Sequence, residues 1–324
     1  MTSGFVSTGR LPDPADVERW VAEAHARYQG VDEGRCSEVY PALARMSPEL
    51  FGISVVSAAG RQHQAGDHDH PFTIMSVSKP FVFALVCSQL GAGRAHELIG
   101  ANSTGLPFNS VEAVERGQGI TNPMVNPGAI VTTSLVGGDR WQAIHGALSA
   151  FAGRELELDE EVLASARATN HRNRSLAQLL ATFGRLGCDP DEAVDLYTRQ
   201  CALLVTATDL AVMGATLADG GVNPITGERV VGGDVCHAVL AVMLTAGMYE
   251  TSGDWLYRVG LPAKSGIGGG IVTVSPGKGG MGTFSPPLDE AGNSVRGTLA
   301  AARLSSRLGL DLLVSEPVAA PGDR

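Results

Sequence analysis

Ser76-Val77-Ser78-Lys79 sets a hydroxyl and an amine three residues apart, at a point where extended sequence gives way to an apolar helical run. On a helix that spacing puts both side chains on one face, where the amine can reach the hydroxyl. A serine hydroxyl is a poor nucleophile until a neighbour removes its proton, and a lysine desolvated in a pocket can have its pKa lowered enough to do so. The start of a helix adds backbone N–H groups and positive potential where an oxyanion would develop. S-x-x-K recurs by chance, so its weight comes from context. Here Lys264-Ser265-Gly266 leads into a glycine-rich strand (GIGGGIVTVS), and K-[ST]-G is the second half of a serine acyl-transfer constellation. Glycines 266, 268, 269 and 270 let that strand's backbone approach a substrate closely and offer it an N–H. The two motifs together indicate a serine amidohydrolase.

The elements that must position these residues can be read around them. Asp13 is placed to cap a helix from Pro14 to Tyr28, with Val17, Trp20, Val21 and Ala24 at helical spacing. Phe51 to Ala58 reads as a strand, Ala59-Gly60-Arg61 as a turn, and a second extended piece reaches Phe72-Thr73-Ile74, with antiparallel pairing the simplest reading. From Lys79 to about Met248 the signals are mostly helical. Leu176, Leu179, Leu180, Phe183 and Leu186 share one face, as do Leu210, Met213, Gly214 and Leu217, and Asp189-Pro190-Asp191-Glu192 is a helix start. Gly270 to Ser275 and Gly280 to Ser285 then read as strands around the turn Pro276-Gly277-Lys278-Gly279, with a closing helix over Gly297 to Leu308 and a frayed tail over Ser315 to Arg324. The order predicts an α+β fold: an antiparallel sheet flanked by helices, assembled from residues 1–75 and 250–314, with an all-helical domain inserted at 76–249 and a tail at 315–324.

A length of 324 residues predicts about two domains at roughly 150 residues each, and 44% hydrophobic residues supply their cores. A net charge of −10 without any basic run argues against nucleic acid as a partner. Met1 to Pro14 has no apolar block of signal-peptide length, and the apolar stretch Pro80 to Val86 is too short to span a bilayer, so a cytoplasmic protein with no membrane partner is expected. Five cysteines (Cys36, Cys87, Cys188, Cys201, Cys236) without CxxC spacing fit free thiols. His63, Asp67, His68, Asp69 and His70 suggest a metal site, but polar residues are expected in a turn between strands, so no metal or other cofactor is predicted. Gly277-Lys278-Gly279-Gly280 lacks the order of a phosphate-binding loop and reads as a hairpin turn.

Several separate blocks carry a resemblance: Tyr40-Pro41-Ala42-Leu43-Ala44, the Ser76 to Lys79 tetrad, Asn122-Pro123-Met124-Val125-Asn126, LADGGVNPITGERV (Leu217 to Val230), Gly247-Met248-Tyr249, GLPAKSG (Gly260 to Gly266) and SPPLDEAGNSVRG (Ser285 to Gly297). From about Val39 to Gly297 the chain resembles the serine-dependent glutaminases, which have the β-lactamase/transpeptidase-like fold. The resemblance implies hydrolysis of L-glutamine to L-glutamate and ammonia, with Ser76 as nucleophile, Lys79 as its activating partner and Tyr249 assisting proton transfer. It also implies that Asn126, Asn173 and Tyr197 line the substrate pocket, that the Ile267 N–H joins that of Ser76 in an oxyanion hole, and that the protein forms a homodimer or homotetramer. Three positions depart from the family pattern on the substrate side: Ala166 replaces a glutamate that faces the α-ammonium, Val39 a tyrosine and Met75 a glutamine. These departures favour, as the first alternative, a related serine amidohydrolase acting on another amide. A non-catalytic binding or regulatory homologue is the second, and the intact Ser76, Lys79 and Tyr249 count against it.

Overall fold

The computed structural model describes residues 9 and 11–315. The frayed tail expected at 315–324 therefore lies, apart from Ser315, outside the described residues. The chain forms a mixed fold of helices and antiparallel sheet. Among the described residues there are seven strands, β1 (Gly52–Ser57), β2 (Gln62–Gly66), β3 (Phe72–Thr73), β4 (Leu204–Val205), β5 (Ala263–Ser265), β6 (Gly270–Ser275) and β7 (Gly279–Phe284). Five of them make one antiparallel sheet in the order β2-β1-β7-β6-β5. Strands from the two ends of the sequence meet at its centre, where β1 pairs with β7 through Ile53 opposite Thr283 and Val55 opposite Met281.

The period of two along these strands sends side chains to two different cores. Ile53, Val55, Ile271 and Met281 face the helices Pro14–Tyr28 and Val295–Arg307, packing with Val17, Val21, Ala300 and Leu304. Gly280 and Gly282 face the other way, against helix Ala207–Ala218. A Cβ at Gly282 would stand 1.9 Å from the Ala207 carbonyl oxygen, and one at Gly280 would stand 2.3 Å from the Ala211 carbonyl oxygen. The missing side chains are what let this helix lie on the sheet. On its far side it belongs to the large core built around helix Lys79–Leu90, with Leu210, Met213 and Leu217 beside Phe81, Leu148 and Phe151.

Helix Pro14–Tyr28 starts and stops where the sequence predicts, and the Asp13 carboxylate accepts the N–H of Ala15 at 3.0 Å. The hairpin β6–β7 and the closing helix also appear, the helix beginning at Val295. The second extended piece differs from expectation. It breaks at Gly66, whose φ of +65° ends β2, and the Asp67 carboxylate turns back to accept the Phe51 N–H at 2.9 Å. Phe72 and Thr73 do not continue the pairing with β1; they form a separate two-stranded sheet with Val205 and Leu204. That small sheet clamps the strand leading to Ser76 against the residues that follow helix Pro190–Cys201.

Candidate active site

Ser76 lies in a single 3₁₀ turn, Met75–Ser78, that runs directly into helix Lys79–Leu90. Met75 has φ +47° and Tyr249 has φ +54°, two of the three non-glycine residues with positive φ among those described. Such conformations cost about 1–3 kcal/mol each and persist where surrounding structure imposes them, often at functional sites. Here they flank one point. The Tyr249 phenol lies beside the Ser76 hydroxyl, which offsets part of the large upward pKa shift that burial imposes on it. The same phenol donates to the Ser265 carbonyl oxygen at 3.2 Å.

Lys79 is 1% exposed, and its amine donates to the Met124 carbonyl oxygen at 3.1 Å and to Asn126 Oδ1 at 2.8 Å. Burial lowers its pKa from 10.5 to about 7, against a smaller opposing effect of Cys201. The amine, three residues on from Ser76, is seated between the Met124 carbonyl and Asn126. Tyr197 donates its hydroxyl to the same Asn126 Oδ1 at 3.1 Å, and Asn126 Nδ2 donates to Asn173 Oδ1 at 3.0 Å. Asn126 is thus the hub of a buried chain, Lys79–Asn126–Asn173, with Tyr197 attached. Its position follows from helix Asn126–Ser134, which starts on Asn126 with proline in its first turn.

Strand β5 brings up the other wall. The Cβ position of Gly266 is 3.3 Å from the Ser76 backbone nitrogen, so the chain beyond β5 passes directly over the serine. Among the described residues neither the Ser76 N–H nor the Ile267 N–H has a protein acceptor. Two unpaired donors beside one hydroxyl can receive an oxyanion. Above them opens a cavity of ≈ 120 Å³ lined by Ser76, Asn126, Asn173, Tyr197 and Ile267, and also by Val39, Met75 and Ala166.

Lys264 is a further component that the sequence indicates only through its K-S-G triad. It is fully buried and donates to the Gly247 carbonyl oxygen at 2.9 Å and the Ser265 carbonyl oxygen at 2.7 Å. Its ammonium nitrogen stands 4.2 Å from the centre of the Tyr249 ring. Desolvation, reinforced by Lys79, pushes its pKa well below that of an ordinary lysine. The Ser265 carbonyl, which accepts from both Lys264 and Tyr249, has no sequence signal at all.

The histidine cluster is dispersed. His63 is buried in β2, His68 Nδ1 sits 3.3 Å from Thr208 Oγ1, and His70 stacks on Phe284. Among the described residues no three His, Cys, Asp or Glu side chains are placed to hold a metal. All five cysteines are free.

The family model for glutaminases matches residues 34–313. The "Glutaminase 2" of Yersinia pestis is 64% identical over 97% of this chain and 94% of its own length. A glutaminase of Mycobacterium marinum is 49% identical over 92% and 95% of the two chains. Among solved structures, the probable glutaminase ybaS superposes with a TM-score of 0.92 at 43% identity, covering 94% of this chain and all of that one. A probable glutaminase from Bacillus subtilis, complexed with 6-diazo-5-oxo-L-norleucine, superposes with a TM-score of 0.83 at 28% identity, covering 96% of this chain and all of that one.

Proposed function

The chain belongs to the glutaminase family, and from that premise we propose that its reaction, hydrolysis of L-glutamine to L-glutamate and ammonia, runs through an acyl-enzyme on Ser76. The observation that carries this reading is a buried lysine with a pKa of about 7 beneath a hydroxyl that has two unpaired N–H groups beside it. A neutral Lys79 amine accepts the Ser76 proton, and Ser76 Oγ attacks the amide carbon. The N–H groups of Ser76 and Ile267 hold the oxyanion. Tyr249, kept protonated by burial, delivers a proton to the amide nitrogen, so the C–N bond breaks and ammonia leaves. A water molecule then attacks the acyl carbon while the Tyr249 phenolate takes up its proton, and the Lys79 ammonium returns its proton to Ser76 Oγ as the acyl C–O bond breaks, releasing glutamate. Asn126, Asn173 and Tyr197 bind the amino-acid end of the substrate.

The same reading takes the fold as β-lactamase/transpeptidase-like, with a helical domain at 76–249 inserted between 1–75 and 250–314 and helix Ala207–Ala218 as the seam. We also read the enzyme as a cytoplasmic homodimer or homotetramer without nucleic-acid or membrane partners. Ser76→Ala tests the mechanism: ammonia release from glutamine should fall to background while the circular dichroism spectrum and melting temperature stay near wild type. Turnover within tenfold of wild type in that variant rules out the acyl-enzyme.

A further inference from the structure

A cavity that takes L-glutamine must bury an ammonium and a carboxylate at one end, and its lining treats the two groups very differently. Among the described residues no aspartate or glutamate lines the cavity. The candidate carboxylates on neighbouring turns are engaged elsewhere: Glu161, beside Val162, pairs with Arg45, and Asp195 pairs with Arg167 at 2.7 Å. Glu250, next to Tyr249, accepts the Phe108 N–H at 3.1 Å and lines a separate cavity of ≈ 100 Å³. The groups that do line the site suit an anion. Arg172 reaches it with only its Nε committed, to the Asn109 carbonyl oxygen at 3.0 Å, and the Asn173 amide nitrogen is left free by the bond its oxygen accepts from Asn126. The rest of the lining carries no charge: Tyr40, Asn109, Thr169, Asn170 and Thr198 are polar and neutral, and part of the wall is apolar. Val162 and Ala166, one turn apart on helix Glu160–Thr169, face the cavity together with Val39 and Met75.

A desolvated ammonium placed against such a wall loses its water and gains no counter-charge, whereas a carboxylate keeps its donors. We infer that this site takes, and prefers to L-glutamine, ω-monoamides of five-carbon dicarboxylates whose α-carbon carries no charged nitrogen. The inference rests on the acyl-enzyme reading, and the chemistry is unchanged: the amide nitrogen leaves as ammonia, the water oxygen enters the new carboxylate, and the product is the free dicarboxylate. Ala166 is then the residue whose small apolar side chain sets the preference.

The test compares ammonia release from glutaramic acid, the simplest such monoamide, with that from L-glutamine. For the wild-type enzyme, kcat/KM for glutaramic acid should equal or exceed that for glutamine; a lower value overturns the inference. Ala166→Glu should move the ratio toward glutamine by about a hundredfold or more, the size expected for a desolvated ion pair, and an unchanged ratio in the folded variant overturns the role given to that wall. Should the variant not fold, product inhibition of the wild type decides: glutarate should inhibit at lower concentration than L-glutamate, and the reverse order counts against the proposal. Ser76→Ala separates the two layers. Retained activity on both amides refutes the acyl-enzyme, whereas a preference for glutamine that Ser76→Ala abolishes refutes only the substrate class.

Discussion

Lys79 donates to two acceptors and, among the described residues, has no counter-ion. A protonated ammonium offers three N–H groups and would leave one unmet in a fully buried position, while a neutral amine offers two and keeps a lone pair. The Met124 carbonyl and Asn126 Oδ1 therefore match the neutral form, and a pKa near 7 makes that form available at physiological pH. In the proposed acyl-enzyme mechanism only the neutral amine accepts the Ser76 proton, so kcat/KM should rise with pH through about 7 and then level. Lys79→Met, which keeps the length and removes the nitrogen, should lower kcat by about 10²–10⁴-fold and erase that limb of the profile. A variant that keeps the same limb would assign it to another group. Asn126→Asp would place a negative charge 2.8 Å from the amine; it should raise the lysine pKa and shift the limb to higher pH, the sign expected when an opposite charge favours the protonated form.

At the scale of elements, helix Ala207–Ala218 is held on the sheet by what β7 lacks. Any side chain at position 282 meets the backbone of the helix, where no flexible group can give way. Gly282→Ala should destabilise by about 3 kcal/mol, seen as a lower denaturant midpoint, because overpacking against backbone can be relieved only by moving the helix. Gly146, exposed in helix Arg140–Ala152 with nothing near its Cβ position, supplies the contrast: Gly146→Ala should stabilise by about 0.5–1 kcal/mol. Equal effects at the two sites would mean that the helix does not sit on β7 as described. The same elements show which parts of the fold sequence patterns reveal. Asp13, the period of helix Pro14–Tyr28 and the hairpin β6–β7 are local signals, and the structure reproduces them. The pairing of Phe72-Thr73 with Leu204-Val205 is not local; two residues per strand carry no period, and their partners are far apart in the chain. The site divides in the same way. The three-residue spacing of Ser76 and Lys79 is visible in the sequence, but Asn126, Asn173, Tyr197 and Tyr249 come together only in three dimensions and were indicated by family resemblance. The left-handed backbone at Met75 and Tyr249 has no composition signal because neither residue type favours it.

Across the whole molecule, the cavity depends on a residue far from it in sequence. Arg296, at the start of the closing helix, is 2% exposed and, among the described residues, has no carboxylate partner. Its guanidinium donates to Ser285 Oγ at 2.7 Å, to the carbonyl oxygens of Gln29 at 3.3 Å and Glu49 at 3.5 Å, and to that of Pro48; it also lies 5.6 Å from the centre of the Phe51 ring. These bonds pin both ends of the irregular segment between helix Pro14–Tyr28 and β1, and the isolated bridge between Arg35 and Leu288 fixes it again near its middle. Val39 and Tyr40, carried by that segment, line the cavity. The N-terminal wall of the site is therefore held by the C-terminal part of the chain. Arg296→Met fills the same space but leaves those carbonyls without a donor, at a cost of about 3 kcal/mol for bonds to a charged group. The loss should be localised. Backbone amides of residues 30–50 should exchange with solvent faster while those of β6 and β7 stay protected, and KM should rise several-fold with kcat little changed, because Ser76, Lys79 and Tyr249 stand on other elements. Uniform loss of protection, or a fall in kcat at constant KM, would show that Arg296 supports the catalytic centre directly instead of holding the segment that walls its substrate.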